Sequence, residues 1–241
     1  MNAPQINPRQ IRDQRLIEGV VSGIPLLRGA SSAQVAGIAR HCWALQASRG
    51  DLVAARESRL PGVFALAYGT VKLTLRGPAD EERVLRLVSA GQTFGESTAL
   101  LARPCRYEAR ALAESKLVVI PSAAIFGLID GDPRSARQVV QALAERTFDL
   151  LTEVESSSLR DGAQRLASYL ASLPKSSGGN GGGNGSCTVR LPAAKTIIAS
   201  RLGMKKETLS RLLRSLSNQG LIQVVQRDIT IHDRERLAGS T

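Results

Sequence analysis

The sequence is poor in the residues that build catalytic and metal centres. Its 241 residues include three cysteines and two histidines. Cys42, Cys105 and Cys187 are widely spaced with no Cys-x-x-Cys pair, which speaks against a disulfide framework and against a zinc or iron–sulfur ligand set. His41 and His232 are far apart, and no nucleophile and base recur at a catalytic spacing. The one glycine-rich stretch, "GGNGGGNG" at 178–185, follows a helical pattern and is too repetitive for a dinucleotide fingerprint. No enzyme is expected. Long apolar runs are missing too: "KLVVI" is far too short to cross a bilayer, and the first twenty residues lack the apolar core of a signal peptide. A cytoplasmic protein with no membrane partner is expected.

Acid is also in short supply. Against 32 Lys and Arg stand 21 Asp and Glu, a net charge of +11. Such an excess favours a polyanionic partner, nucleic acid before membrane, because clustered cations release counterions from phosphate. An apolar fraction of 43% suffices for packed cores, and the length suits two modest domains or one large one.

Along the chain, residues 1–24 hold prolines and scattered charges and read as an arm with one short helix around Ile11 to Val20. "IPLLRGASSAQVAGIARHCW" offers Ser31 or Ser32 as an N-cap for another short helix. Over 25–130 the runs "GVFALAYG", "TVKLTLRG", "ERVLRLVSAG" and "SKLVVIP" alternate or run apolar between Gly and Pro turns, and "RGPADEERV" has the composition of a hairpin tip. This punctuation predicts a compact antiparallel barrel or roll. After Asp132 and Pro133 the period changes to 3.6, with Val140, Leu143, Thr147, Leu150, Leu151 and Val154 on a stripe. A long helix over 131–159 is expected. An apolar face of that length calls for a partner helix, and a symmetric homodimer supplies one.

Residues 160–241 complete an α+β chain. "AQRLASYLASL" is amphipathic, and "PKSSGGNGGGNGSC" reads as a surface loop. "PAAKTIIASRL", a turn at Gly203 and "KETLSRLLRSLSNQG" stopped by Gly220 describe a helix-turn-helix. "LIQVVQRDITIHD" adds two short strands, the wing of a winged helix. Residues 188–241 carry ten Lys and Arg against four Asp and Glu. Double-stranded DNA is the partner such a combination requires.

From about residue 25 the chain resembles the Crp/Fnr superfamily of bacterial transcription regulators. "GTVKL" with "GQTFGESTALL" is similar to its sensor signature, and "ETLSR" is similar to the Glu-x-x-Ser-Arg of the Fnr and Dnr branch. The resemblance implies a cyclic-nucleotide-binding-like β-roll at 25–130, a dimerisation helix at 131–159 and a winged helix at 160–241, in a homodimer that engages RNA polymerase. It also implies that Glu207, Ser210 and Arg211, on the helix 205–217, meet base edges, Arg211 at guanine and Glu207 at cytosine. Lys195, Lys205, Lys206 and Thr208 would contact phosphates, and the operator would be close to TTGAT-N4-ATCAA.

The effector stays open. In cyclic-AMP-binding relatives a Gly-Glu pair meets the ribose and an Arg followed by Ser or Thr meets the phosphate. Gly95, Glu96 and Arg106 match, but Tyr107 stands where the small hydroxyl belongs, and "RESR" at 56–59 lacks the glycine of the family's turn. The simpler reading makes Gly95 a turn residue and lets Glu96 tie Arg106 across the roll. Haem, which the Dnr resemblance implies for nitric oxide sensing, would need an axial ligand, for which His41 and Cys42 are candidates, and no iron–sulfur cluster is expected. A thiol beside Arg106 with a lowered pKa, Cys105, would be a redox input. Another ligand, or none, is a further alternative, and so is a cyclic-nucleotide-type signalling module that has lost operator reading.

Overall fold

Apolar runs in the first half of the chain are continuous where a strand is covered on both faces and alternate where it is not. The computed structural model describes residues 9–11, 13–77, 81–175 and 186–239, in two units that divide between Phe148 and Asp149. In the first unit the strands are β1 (Arg9–Ile11), β2 (Trp43–Ala47), β3 (Leu52–Ala54), β4 (Val63–Tyr68), β5 (Thr70–Arg76), β6 (Glu82–Ser89), β7 (Thr93–Phe94), β8 (Glu108–Ala111) and β9 (Ser115–Ile120). They form two antiparallel sheets, ordered β1-β2-β9-β4-β7 and β3-β8-β5-β6. This is the predicted roll. In β4, Phe64 and Leu66 face the core between the sheets, where the Phe64 and Phe94 rings stack at 4.9 Å. Val63 and Ala65 point the other way, into a second core beneath helices. Gly69, at φ +95°, joins β4 to β5 where a Cβ would stand 2.2 Å from Ser115 Oγ. Only glycine fits there.

The helices of this unit are α1 (Gln14–Gly23), α2 (Ser32–Ala39), α3 (Glu96–Leu100), α4 (Ser122–Gly131) and the start of α5 (Pro133–Leu159). Ser31 and Gln34 form a reciprocal capping box at α2. The reading of residues 1–24 as an arm is corrected for the described part: Arg9–Ile11 pairs with β2, and Ile17 and Val21 of α1 are buried against Val118 and Ile120 of β9. An amphipathic helix has no reason to stay outside a sheet face that needs covering. Asp132 caps α5 through the amides of Arg134 and Ser135, and also accepts from Ser135 Oγ at 2.8 Å and Gln34 Nε2 at 3.0 Å. These hydrogen bonds hold its carboxyl down at about 2. Along α5, Val139 is buried in the helical core while Val140, Phe148, Leu151 and Val154 are 60 to 72% exposed.

The second unit contains the end of α5, then α6 (Gly162–Ser172), β10 (Cys187–Arg190), α7 (Lys195–Arg201), α8 (Lys206–Asn218), β11 (Ile222–Val225), β12 (Asp228–Ile231) and α9 (Arg234–Gly239). The sheet order is β10-β12-β11. Its core gathers Leu166, Leu170, Val189, Ile198, Leu209, Leu213, Leu216, Ile229 and Ile231. The hairpin of β11 and β12 is the expected wing, and β10 is a third strand that the sequence reading did not foresee. Most of the glycine-rich loop, 176–185, and the hairpin tip at 78–80 lie outside the described residues. Among the described residues, no helix is long and apolar enough to cross a membrane.

Candidate nucleic-acid interface

α7 and α8 meet at a turn built by Gly203, at φ +66°, and closed by the Met204 amide donating to Ala199 O at 3.0 Å. Leu209, Leu213 and Leu216 of α8 are buried and Leu212 is half-buried. At about 100° per residue these leucines share one side of the helix. Glu207, Ser210, Arg211 and Arg214, at spacings of three, one and three, share the other, and all four are exposed. The leucines hold the helix down and leave the polar face open.

Arg211 Nη2 reaches Thr208 Oγ1 at 3.5 Å, the outer limit of a hydrogen bond. No carboxylate pairs with it among the described residues, although Glu207 is one turn away. Its fork and the Glu207 oxygens therefore face outward, ready for a donor and acceptor pattern such as a base pair presents. Lys205, the N-cap of α8, makes no side-chain cap, so the first amides of a thirteen-residue helix are open beside two exposed lysines, Lys205 and Lys206. Such an end attracts anions. Thr208 is half-buried one turn along, and Lys195 is half-buried at the start of α7.

Sequence reasoning placed the wing but assigned no side chain on it. Arg227, exposed beside Gln226 at φ +54°, donates through Nε to Leu191 O at 3.2 Å and accepts from the Leu191 amide at 2.9 Å. It therefore sits near the segment that leads to Lys195. An arginine in a tight hairpin turn was the available signal.

In the roll, Gly95 adopts φ +91° at the start of α3, and a Cβ there would stand 3.0 Å from Leu60 Cδ1. Glu96 is the first residue of α3. Tyr107 packs against the inner core, and its hydroxyl faces the Gly95 backbone, the Glu96 carboxylate and the Arg86 guanidinium. Burial pushes this phenol above its usual range. Gly95, Glu96 and Tyr107 come together; Arg106 does not join them. It is exposed and makes no ion pair with Glu96, which corrects the expected tie across the roll. The arginine faces solvent, and an aromatic ring lies against the Gly-Glu turn.

The thiols are equally quiet. Cys105 is buried and donates to Tyr107 O at 3.2 Å. Burial raises its pKa, against the lowering expected from Arg106 next door. Cys42 donates to Ile38 O at 3.3 Å, packs against the helical core and is pushed up to about 12. A protonated, packed thiol does not suit haem iron, and the neighbouring His41 is exposed at the end of α2.

Residues 44–132 match the cyclic nucleotide-binding domain family, and residues 164–239 match the Crp-like helix-turn-helix domain family. The chain is 23% identical over 222 residues to the CRP-like cAMP-activated global transcriptional regulator of Mycobacterium tuberculosis, covering 92% of this chain and 98% of that one. The fold is shared with a double mutant of CooA from Carboxydothermus hydrogenoformans, at TM-score 0.70, 19% identity and coverage of 96% and 97%. DNR from Pseudomonas aeruginosa aligns at TM-score 0.50, 24% identity and coverage of 94% and 98%. With a β-roll, a long helix and a winged helix in that order, and both domain families matched, the chain belongs to the Crp/Fnr superfamily of transcription regulators.

Proposed function

We propose that the protein is a cytoplasmic, homodimeric regulator whose α8 helices read the two halves of a palindrome close to TTGAT-N4-ATCAA, in the manner of the Fnr and Dnr branch. The observation that carries this reading is the exposed row Glu207, Ser210, Arg211 above a buried leucine face. Arg211 donates to guanine and Glu207 accepts from cytosine, while Lys195, Lys205, Lys206 and Thr208 hold phosphates. RNA polymerase is the further protein partner.

The homodimer is supported by α5. Val140, Ala144, Thr147, Leu151 and Val154 recur at spacings of four and three, all exposed, as the seam of a two-stranded coil requires. Fully burying a large apolar side chain contributes about 1.5 to 3 kcal/mol, and two-fold symmetry counts each residue twice.

Tyr107 against Gly95 and Arg106 facing solvent support an effector other than cyclic AMP held in the family's usual way. The retained Gly95 and Glu96 favour a second reading, a cyclic-nucleotide-responsive regulator, in which Tyr107 would have to swing out. Titration of the purified protein against the palindrome and a scrambled duplex, with and without cyclic AMP, tests both. Specific binding that ignores the nucleotide supports the first reading, nucleotide-dependent binding the second, and equal affinity for both duplexes refutes operator reading.

A further inference from the structure

Between α5 and α6 lie only Arg160 and Asp161. Asp161 is committed to capping α6, where it and Gln164 exchange hydrogen bonds at 2.9 and 3.0 Å. The chain could bend at this elbow, and three arginines surround it. Arg165 of α6 donates Nη1 to Arg160 O, inside the elbow, at 2.7 Å, and Nε to Leu202 O, at the end of α7, at 3.0 Å. Arg160 Nη1 in turn donates to Ser168 Oγ of α6. Arg201 of α7 donates Nη2 to Glu153 Oε1 of α5 at 2.9 Å, and its guanidinium also faces the half-buried phenol of Tyr169.

The pattern is unlike scattered surface pairing. Arg165 satisfies one carbonyl on each side of a gap, the elbow and the helix-turn-helix, with a single planar fork. Glu153 lies about two helical turns before the elbow, so its bond to Arg201 bypasses the bend altogether. The Arg201 side chain is only 19% exposed. A partly exposed ion pair adds little to stability. Across a bend, however, it fixes an angle, and a small rotation there becomes a large displacement at the reading helix.

We infer that Glu153, Arg201 and Arg165 form a bracket that sets the angle at which the reading head leaves α5, and so the separation of the two half-sites that the dimer accepts. They are positioning residues, with no base contact of their own. The inference rests on the homodimeric operator reading above. Half-sites of such dimers are about one helical turn apart, 34 to 36 Å, and one base pair changes that distance by about 3.4 Å. A bracket that holds the angle selects one spacer, and a loosened bracket accepts neighbours.

The test uses the full-length protein and palindromes with three, four or five central base pairs between identical half-sites, together with a single half-site. The variants are Glu153→Gln and the charge exchange Glu153→Arg with Arg201→Glu, each shown by light scattering to keep the mass of the wild type. The wild type is expected to prefer one spacer by about tenfold or more, as a mismatch of about 1.4 kcal/mol requires. Glu153→Gln is expected to keep half-site affinity and lose most of that preference, and the charge exchange to regain part of it. An unchanged spacer preference in Glu153→Gln, or an equal loss on half-site and palindrome, overturns the bracket. Failure of the wild type to bind any palindrome instead overturns the operator reading itself.

Discussion

The Tyr107 hydroxyl faces the Gly95 backbone, with the Glu96 carboxylate beside it and the ring packed into the inner core of the roll. A small hydroxyl residue at 107 would leave that space to a ligand. Tyr107→Ser is therefore expected to gain calorimetric binding of cyclic AMP that the wild type and Tyr107→Phe lack. Micromolar binding by the wild type would show that the ring does not block the site.

Asp132 links α2 to α5 by accepting from Gln34 and Ser135. Its folded pKa, about 2, lies below the ordinary 3.8, so its stabilisation is complete above pH 3.8 and fades as pH falls towards 2. Thermal melts of the wild type and Asp132→Asn should differ most near neutral pH and converge in that acid window. A difference that stays constant down to pH 2 would contradict the assignment.

Leu151 stands 62% exposed at the centre of the α5 stripe. Leu151→Glu places a charge in the proposed seam, where pairing would desolvate it. Sedimentation should show a monomer with wild-type far-ultraviolet dichroism. An intact dimer would move the interface elsewhere.

Lys206 is expected to position α8 without specifying sequence. Lys206→Ala should weaken matched and mutated operators alike and reduce the slope of log affinity against log salt by about one. Loss confined to the matched operator would make Lys206 a base-reading residue.

How much of this was legible depends on the range of the interaction. The "VFAL" run and its Gly and Pro turns announce a strand, and β4 is that strand, its two faces buried in different cores. The stripe of α5 and the leucine face of α8 follow from periods within one helix. β10 is masked in the sequence by the Gly and Ser that precede it, although Cys187 and Val189 alternate inward with Thr188 and Arg190 facing out. The burial of Ile17 and Val21 depends on β9, about a hundred residues later, which no local pattern reports. The environment of Cys105 is likewise set by the fold. Its neighbour in sequence, Arg106, points to solvent, so burial decides the thiol's pKa. The bond from Arg201 to Glu153 joins residues 48 apart and appears only in the fold.

The proposed operator reading turns on Arg211 meeting a guanine from the open face of α8. It is tested most directly by measuring affinities of wild type and Arg211→Ala for the palindrome and for operators altered at that guanine. The expected result is a loss of about 1 to 3 kcal/mol on the matched operator and no remaining discrimination at that base. Full discrimination retained by Arg211→Ala would contradict it.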